Sequence, residues 1–159
     1  MIKIIKSKKG FTMVELLIVI AILGIIMAIA FLTVTGVLNS SRQKVDYRNA
    51  ELIERAIESY IFITEDAKLE YITYNADTIK NGDDSEKLIL ILQNKIICQK
   101  NGEELEPFLV PKDGNTPSVE YFTTQWENHK GYRIEIYPEN MTCDVFPVED
   151  ILDAVININ

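Results

Sequence analysis

A single carboxylate stands at the start of the most apolar stretch of this chain. Glu15 follows the run Lys8-Lys9-Gly10-Phe11-Thr12-Met13-Val14, and the next charged residue is Arg42. The uncharged residues between them would form about 39 Å of helix at about 1.5 Å per residue, enough to cross a bilayer core of about 30 Å. A carboxylate at membrane depth costs about 2.5 kcal/mol or more, so we expect Glu15 to have a function that a plain anchor does not need.

The residues around Glu15 carry a family resemblance. A lysine-rich leader ends at Gly10, Phe11 and Thr12 follow, and Glu15 stands four residues after Phe11, ahead of the long apolar run. This arrangement resembles the N-terminus of type IV pilin precursors, a class shared with the pseudopilins of secretion systems and with competence pilins. The resemblance covers only about the first forty residues of the chain.

The resemblance implies a covalent modification that another enzyme carries out on this chain. A membrane prepilin peptidase would cleave between Gly10 and Phe11 and methylate the new amine of Phe11. Gly10 fits a tight cleavage site because it has no side chain. In a bundle of apolar helices each buried Glu15 needs a partner, which the Phe11 ammonium of a neighbouring copy can supply. We therefore interpret Glu15 as an assembly residue.

The function implied is that of a structural subunit in a type IV pilus-like filament, or fimbrium. The processed prepilin would be a single-pass membrane protein before it polymerises through its N-terminal helix into an extracellular filament. Its expected partners are other pilin copies, the prepilin peptidase, the assembly platform with its ATPase, and membrane lipid before assembly. The alternatives are a pseudopilin of a type II secretion or competence (DNA-uptake) system, and a membrane-anchored extracellular binding domain that does not polymerise.

Two other interpretations of the N-terminus compete with this one. A secretory signal cleaved after Ala28-Ile29-Ala30 would release a domain that starts at Phe31, but the apolar sequence continues beyond that point to Leu38. A plain signal anchor would retain the lysines in the cytoplasm, but it gives no reason for Glu15 or for a glycine before Phe11. Both are disfavoured.

Charge argues against a nucleic-acid-binding subunit. The formal net charge is -8, and cleavage after Gly10 would remove four of the 16 basic residues and none of the 24 acidic ones, leaving -12. A surface this acidic repels phosphates. No direct nucleic acid binding by this chain is therefore expected.

The chain offers little for catalysis, and we expect no enzymatic activity and no cofactor. His129 is the only histidine and is predicted to be a solvated loop residue, and no catalytic triad or phosphate-binding glycine loop is evident. The acidic groups Asp83-Asp84-Ser85-Glu86 and Asp144, Glu149, Asp150 and Asp153 do not have the spacing of a helix-loop-helix calcium motif. They are interpreted as solvated surface, and no metal site is predicted.

The two cysteines leave two alternatives open. Cys98 and Cys143 could form a disulfide across a loop of about 45 residues, which the chain-entropy model values at about 4 kcal/mol. They could equally be two buried thiols.

The predicted fold class is α+β and pilin-like. Residues 1–10 form the leader, residues 11–39 an apolar half-helix for the membrane and the filament core, and residues 40–159 a globular head that includes an amphipathic half-helix. One helix of about 50 residues is expected to end near Glu65, with its apolar half protruding and its second half packed against a small antiparallel sheet.

Smaller elements are predicted from turn residues and periodicity. A helix capped by Asp84 or Ser85 is expected to run through Ile96, although Leu88 to Leu92 could also be a buried strand. The others are loops at Asp77–Asp84 and Glu106–Asn115, a turn at Asn101-Gly102, strands at Val119–Thr124, Tyr132–Tyr137 and Met141–Phe146, and a short helix that starts at Pro147.

We predict that the mature protein begins at methylated Phe11, because the Lys9-Gly10-Phe11 junction and Glu15 together form the processing motif. Intact mass measurement or N-terminal sequencing of the membrane fraction tests this. A start at Phe31 would establish a secretory signal instead, and an intact Met1 would establish a plain anchor.

Overall fold

The computed structural model describes residues 11–74, 77–80, 82, 84–98, 102–111, 114 and 116–159. The chain divides after Ser40 into two compact units, and the second unit, Ser41–Asn159, is the head domain. Helix α1, Met13–Thr64, contributes to both units. The predicted single long helix is confirmed, at 52 residues.

The second half of α1 is amphipathic, as predicted. Its buried positions recur at spacings of three and four, which places them on one side of a helix with 3.6 residues per turn. The apolar members of this stripe are Ala50, Ile53, Ala56, Ile57, Tyr60 and Ile61. They form one side of the core of the head domain.

Helix α1 ends because a buried carboxylate organises the residues that follow it. Asp66 is 3% exposed and accepts hydrogen bonds from the hydroxyl of Tyr60 at 2.7 Å and from the backbone N–H groups of Glu70 and Tyr71 at 2.8 and 2.9 Å. Glu65 has a φ of 57°, the left-handed conformation that often terminates a helix. The turn is therefore fixed by side-chain acceptors and not by a glycine or proline.

A β-hairpin forms two of the three strands of the main sheet, as predicted. Strand β5, Gly131–Tyr137, pairs antiparallel with strand β6, Thr142–Val148. Ile134 lies opposite Val145, and both side chains are buried. The alternation of buried and half-buried residues in β5 follows the two-residue period of a strand.

The last part of the chain differs from the predicted helix at Pro147. Pro147 itself lies in β6, and Asp150 caps only a short 3₁₀ turn, Ile151–Asp153. The chain then forms strand β7, Ile156–Ile158, which pairs parallel to β5. The sheet has the order β6-β5-β7, in which the predicted antiparallel pair is extended by a parallel strand, so the sheet as a whole is mixed.

Helix α2, Ser85–Leu92, confirms the helical alternative for Leu88 to Leu92. The Asp84 side chain accepts a hydrogen bond from the backbone N–H of Glu86 at 2.9 Å, so the predicted cap is present. The helix stops before Ile96, which the prediction had included.

Two short strand pairs complete the described secondary structure around α2. Strand β1, Thr73–Tyr74, pairs with strand β2, Asp77–Thr78, at the start of the predicted loop. Strand β3, Ile96–Ile97, pairs with strand β4, Glu104–Leu105, across a turn in which Gly102 has a φ of 72°. This turn agrees with the predicted one, although Asn101 lies outside the described residues.

The strand predicted at Val119–Thr124 is a 3₁₀ turn, Val119–Phe122. The Ser118 hydroxyl accepts a hydrogen bond from the backbone N–H of Glu120, which caps the turn. The backbone of Ser118 is held in turn by the buried side chain of Gln93, with bonds of 3.0 and 3.1 Å. A contact across 25 residues therefore overrides the local preference for a strand.

One apolar core joins these elements within the head domain. It contains the stripe of α1, the inner side of α2 and the inward residues of the sheet. The largest fully buried apolar side chains are Ile53, Ile57, Tyr60, Ile61, Leu69, Ile72, Leu88, Leu92, Ile134, Ile136 and Ile156. All of them follow Ser41 in the chain, so these core residues belong to the second unit.

We predict that residues 42–159 expressed alone fold as a soluble, monomeric α+β domain, because the core is complete without the apolar segment. Circular dichroism and sedimentation equilibrium test this prediction. An unfolded or insoluble product, with both cysteines kept in their native redox state, would show that the head borrows packing from residues before Arg42.

Candidate assembly segment

The N-terminus of α1 is closed by reciprocal hydrogen bonds between Thr12 and Glu15. The Glu15 Oε2 atom accepts from the backbone N–H of Thr12 at 2.8 Å and from its hydroxyl at 2.9 Å. The backbone N–H of Glu15 donates to the Thr12 hydroxyl oxygen at 3.3 Å. This is a capping box, in which two helix N–H groups without a helical partner are satisfied by side chains.

The capping box gives Glu15 a local role that the sequence interpretation missed. The pattern of Thr followed three residues later by Glu, ahead of an apolar run, was visible in the sequence. Only Oε2 takes part in these bonds, and no described residue donates to Oε1. One oxygen therefore caps the helix, and the other remains available for a further donor.

The segment that follows Glu15 is exposed along its whole length. Every residue from 11 to 41 is exposed, including Phe11 at 80% and Leu32 at 74%. Helix α1 is long and apolar enough to cross a membrane. An apolar surface of this extent is not stable in water and marks a contact with lipid or protein. Gly10, the other half of the predicted cleavage site, lies outside the described residues.

The hydroxyl groups inside the apolar segment are satisfied within the helix. Thr33 Oγ1 donates to the carbonyl oxygen of Ala30 at 2.9 Å, and Thr35 Oγ1 donates to that of Leu32 at 3.0 Å. Because these bonds need no water, the two threonines do not prevent the segment from entering an apolar environment.

A second buried carboxylate ties a distant loop to α1 within the head domain. Asp46 is fully buried and accepts hydrogen bonds from the backbone N–H groups of Gln125 and Trp126, the second at 3.1 Å. Its Oδ2 atom also lies 2.7 Å from Nδ1 of His129. The loop at 125–129 is therefore anchored to the helix at residue 46.

His129 is buried, so the prediction of a solvated loop histidine was wrong. It is only 7% exposed, and its ring lies edge-on to Tyr47 at 5.9 Å and to Trp126 at 4.6 Å between ring centroids. The histidine and its carboxylate partner are 83 residues apart in the chain. The sequence contains no local pattern that connects them.

The two cysteines are free thiols in the structure, and both are buried. Burial raises the pKa of the Cys143 thiol well above its ordinary value, and the nearby carboxylates of Glu58, Glu54 and Asp144 add to the effect. Because the thiolate is the reactive form, Cys143 is a poor nucleophile in the folded head.

The acidic groups do not come together as a metal site among the described residues. In that part of the chain, no three side chains of His, Cys, Asp or Glu are placed to hold a metal ion. Asp84 caps α2 and Asp150 caps the last 3₁₀ turn, so both carboxylates have structural partners. Asp153 forms an ion pair with Arg133 at 2.5 Å, and Asp83 lies outside the described residues.

A comparison with known protein families supports the N-terminal motif that contains Phe11, Thr12 and Glu15. A family described as the prokaryotic N-terminal methylation motif matches residues 5–31. This chain carries a prokaryotic N-terminal methylation motif, which is consistent with a type IV pilin-like precursor. The match covers the predicted cleavage junction, Glu15 and the first half of the apolar run, whereas the head domain lies outside it.

A curated relative extends this likeness beyond the matched motif. The prepilin peptidase-dependent protein A of Clostridium perfringens (strain 13 / Type A) is 37% identical over 76 residues, which is 48% of this chain. The matched part is 53% of that protein, so the chain spans about half the length of the relative it matches. No solved structure matches the chain.

We predict that Asp46→Ala destabilises residues 42–159 by about 3 kcal/mol, because it leaves two backbone N–H groups and His129 buried without their acceptor. Urea unfolding followed by circular dichroism measures the change. Glu127→Ala, at an exposed position in the same loop, is the matched control and should change stability by less than about 0.5 kcal/mol. Equal effects of the two substitutions would contradict the anchoring role of Asp46.

Proposed function

We propose that this pilin-like chain is the structural subunit of a type IV pilus-like filament. The precursor is cleaved after Gly10 and methylated at Phe11, is held in the membrane by its apolar segment, and then polymerises through that segment. The single observation that carries the proposal is Glu15, a carboxylate at the start of a segment that is fully exposed and uncharged as far as Ser41.

The capping geometry of Glu15 supports its use in assembly. Its Oε2 atom is occupied by Thr12, which fixes the carboxyl group at the helix terminus in a single orientation. The Oε1 atom is left to accept from the Phe11 ammonium of a neighbouring copy. Because an unpaired charge in an apolar bundle is costly, this ion pair favours the one axial offset of neighbouring helices that brings both groups together.

Before assembly, the apolar segment would hold the subunit in the membrane. The apolar side chains and the internally bonded threonines suit a bilayer, and an extracellular filament would transfer the same surface from lipid to neighbouring helices. The assembly platform and its ATPase would extract the subunit from the membrane for this transfer. A pseudopilin of a secretion or competence system would use the same processing and the same pairing, so the proposal includes that assembly as its near variant.

We predict that Glu15→Ala is inserted and cleaved after Gly10 but is poorly incorporated into surface filaments. In the membrane the substitution removes an unfavourable charge, so anchoring is unchanged or improved. In the bundle it leaves a Phe11 ammonium without a partner, a defect of about 3 kcal/mol for each contact. Immunoblots of the sheared surface fraction and of the membrane fraction measure the two effects.

Two further variants separate charge pairing from helix capping. Glu15→Gln keeps the capping box, because glutamine also serves at this position, but it removes the charge. It should therefore fail in assembly like Glu15→Ala. Thr12→Ala weakens the cap but keeps the charge, and it should assemble nearly as well as wild type. If Glu15→Gln reached the surface at the wild-type level, Glu15 would be a capping residue only and the pairing role would be wrong.

The surface and membrane fractions also test the alternative of a membrane-anchored extracellular binding domain that does not polymerise. A binding domain that never polymerises would stay entirely in the membrane fraction, with wild-type protein absent from sheared filaments even when it is correctly processed. That outcome would overturn the filament proposal and leave the processing motif intact.

A further inference from the structure

The head domain begins with a group of exposed cations. Arg42, Lys44 and Arg48 are all exposed and come directly after the uncharged run in the chain. We call these three residues the basic collar. None of them forms an ion pair with a described residue. The only acid within residues 42–48 is Asp46, which is fully buried, so this turn and a half of helix presents positive charge alone to its surroundings.

The three cations of the collar lie on two opposite sides of the helix and not on one face. At about 100° per residue, Lys44 and Arg48 lie about 40° apart, whereas Arg42 lies about 160° from Lys44. A protein that docks on one side of α1 would reach only part of such a group. A layer of phosphate groups around the helix can contact all three cations.

The buried carboxylate of Asp46 holds aromatic residues next to the basic collar. Asp46 holds the backbone of Gln125 and Trp126, and His129 packs between Trp126 and the half-exposed ring of Tyr47. Tryptophan and tyrosine are the residues enriched where a membrane meets water, because one part of each ring is apolar and another is polar.

The loop that Asp46 anchors adds one exposed cation and one exposed anion, so it does not offset the positive charge of the basic collar. Lys130 and Glu127 are both exposed, and the Lys130 ammonium donates to the backbone carbonyl oxygen of Glu127 at 2.6 Å. The collar and the loop together present four cations against one exposed carboxylate. The mature chain as a whole would carry -12, so this end of the head differs in sign from the rest of the molecule.

We propose that the basic collar, together with Trp126 and Tyr47, binds the phosphate headgroups of anionic lipids while the subunit is held in the membrane. Three observations favour a lipid surface over a second copy of the chain: the cations adjoin the membrane segment in sequence, they lie on two opposite sides of the helix, and aromatic rings are anchored beside them. The inference rests on the membrane-held state of the proposed function and is independent of filament formation.

The chain contains its own reporter for this contact, because Trp126 is the only tryptophan. The mature full-length protein is reconstituted into vesicles of phosphatidylcholine, with or without phosphatidylglycerol, that contain lipids with a nitroxide near the headgroup. We expect Trp126 fluorescence to be quenched more strongly, by about twofold, in the anionic vesicles, since each cation near such a surface favours the bound state by about fivefold. Salt at about 1 M, where the Debye length is about 3 Å, should abolish the difference.

Matched variants assign the effect to the collar. Replacing Arg42, Lys44 and Arg48 together by Gln should reduce quenching in anionic vesicles to the level in neutral ones. The control replaces Lys68, Lys87 and Lys95, three exposed cations elsewhere on the head, by Gln and should behave as wild type. Circular dichroism verifies that both triple variants are folded.

Two results would overturn the proposal. Equal quenching in neutral and anionic vesicles would show that lipid charge is not recognised. Quenching that followed the protein-to-lipid ratio instead of lipid charge would assign the collar to a contact between copies. The quenching measurement needs no filament. A negative quenching result would therefore leave the filament proposal standing. Conversely, a chain that formed no filaments could still show the lipid contact.

Discussion

One helix of this protein must be stable in two different surroundings, and the rest of the structure follows from that constraint. The first part of α1 is apolar on all sides, which suits lipid or a bundle of identical helices, whereas the second part is apolar on one stripe, which suits a small head domain. Charge changes at the same place as the pattern, since no ionisable side chain occurs between Glu15 and Arg42. The head domain can therefore be soluble although it is continuous with a segment that is not.

Three carboxylates, one exposed and two buried, fix points along and beyond α1. Glu15 closes the N-terminus of α1, Asp46 fastens a loop near the beginning of the head, and Asp66 shapes the turn after the helix. Asp46 and Asp66 are almost fully buried, and each accepts three hydrogen bonds, which compensates for part of the cost of removing a charge from water. Asp46 thereby fixes the loop at 125–129, and Asp66 fixes the turn that follows α1.

The accuracy of the sequence interpretation depended on how far apart the interacting residues are. The long helix, the β5–β6 hairpin and the cap of α2 were predicted because each depends on neighbours within a few positions. The 3₁₀ turn at Val119 was missed because Gln93 determines it from a distance, and the parallel strand β7 was missed because its partner lies across the whole hairpin. The site followed the same rule: the processing motif is local and was recognised, whereas the Asp46–His129 pair is not local and was not.

The position of β7 affects the order in which the head can fold. Ile134, in the central strand, obtains its backbone partner from Val155, and Asn159 donates to the carbonyl oxygen of Ile136. A chain that crosses a membrane in sequence order therefore cannot complete its central strand until these late residues have emerged. Sheet pairings between distant residues form slowly because the intervening loop must close first. In the export that the proposed function requires, the head would therefore remain open until residues 155–159 had emerged.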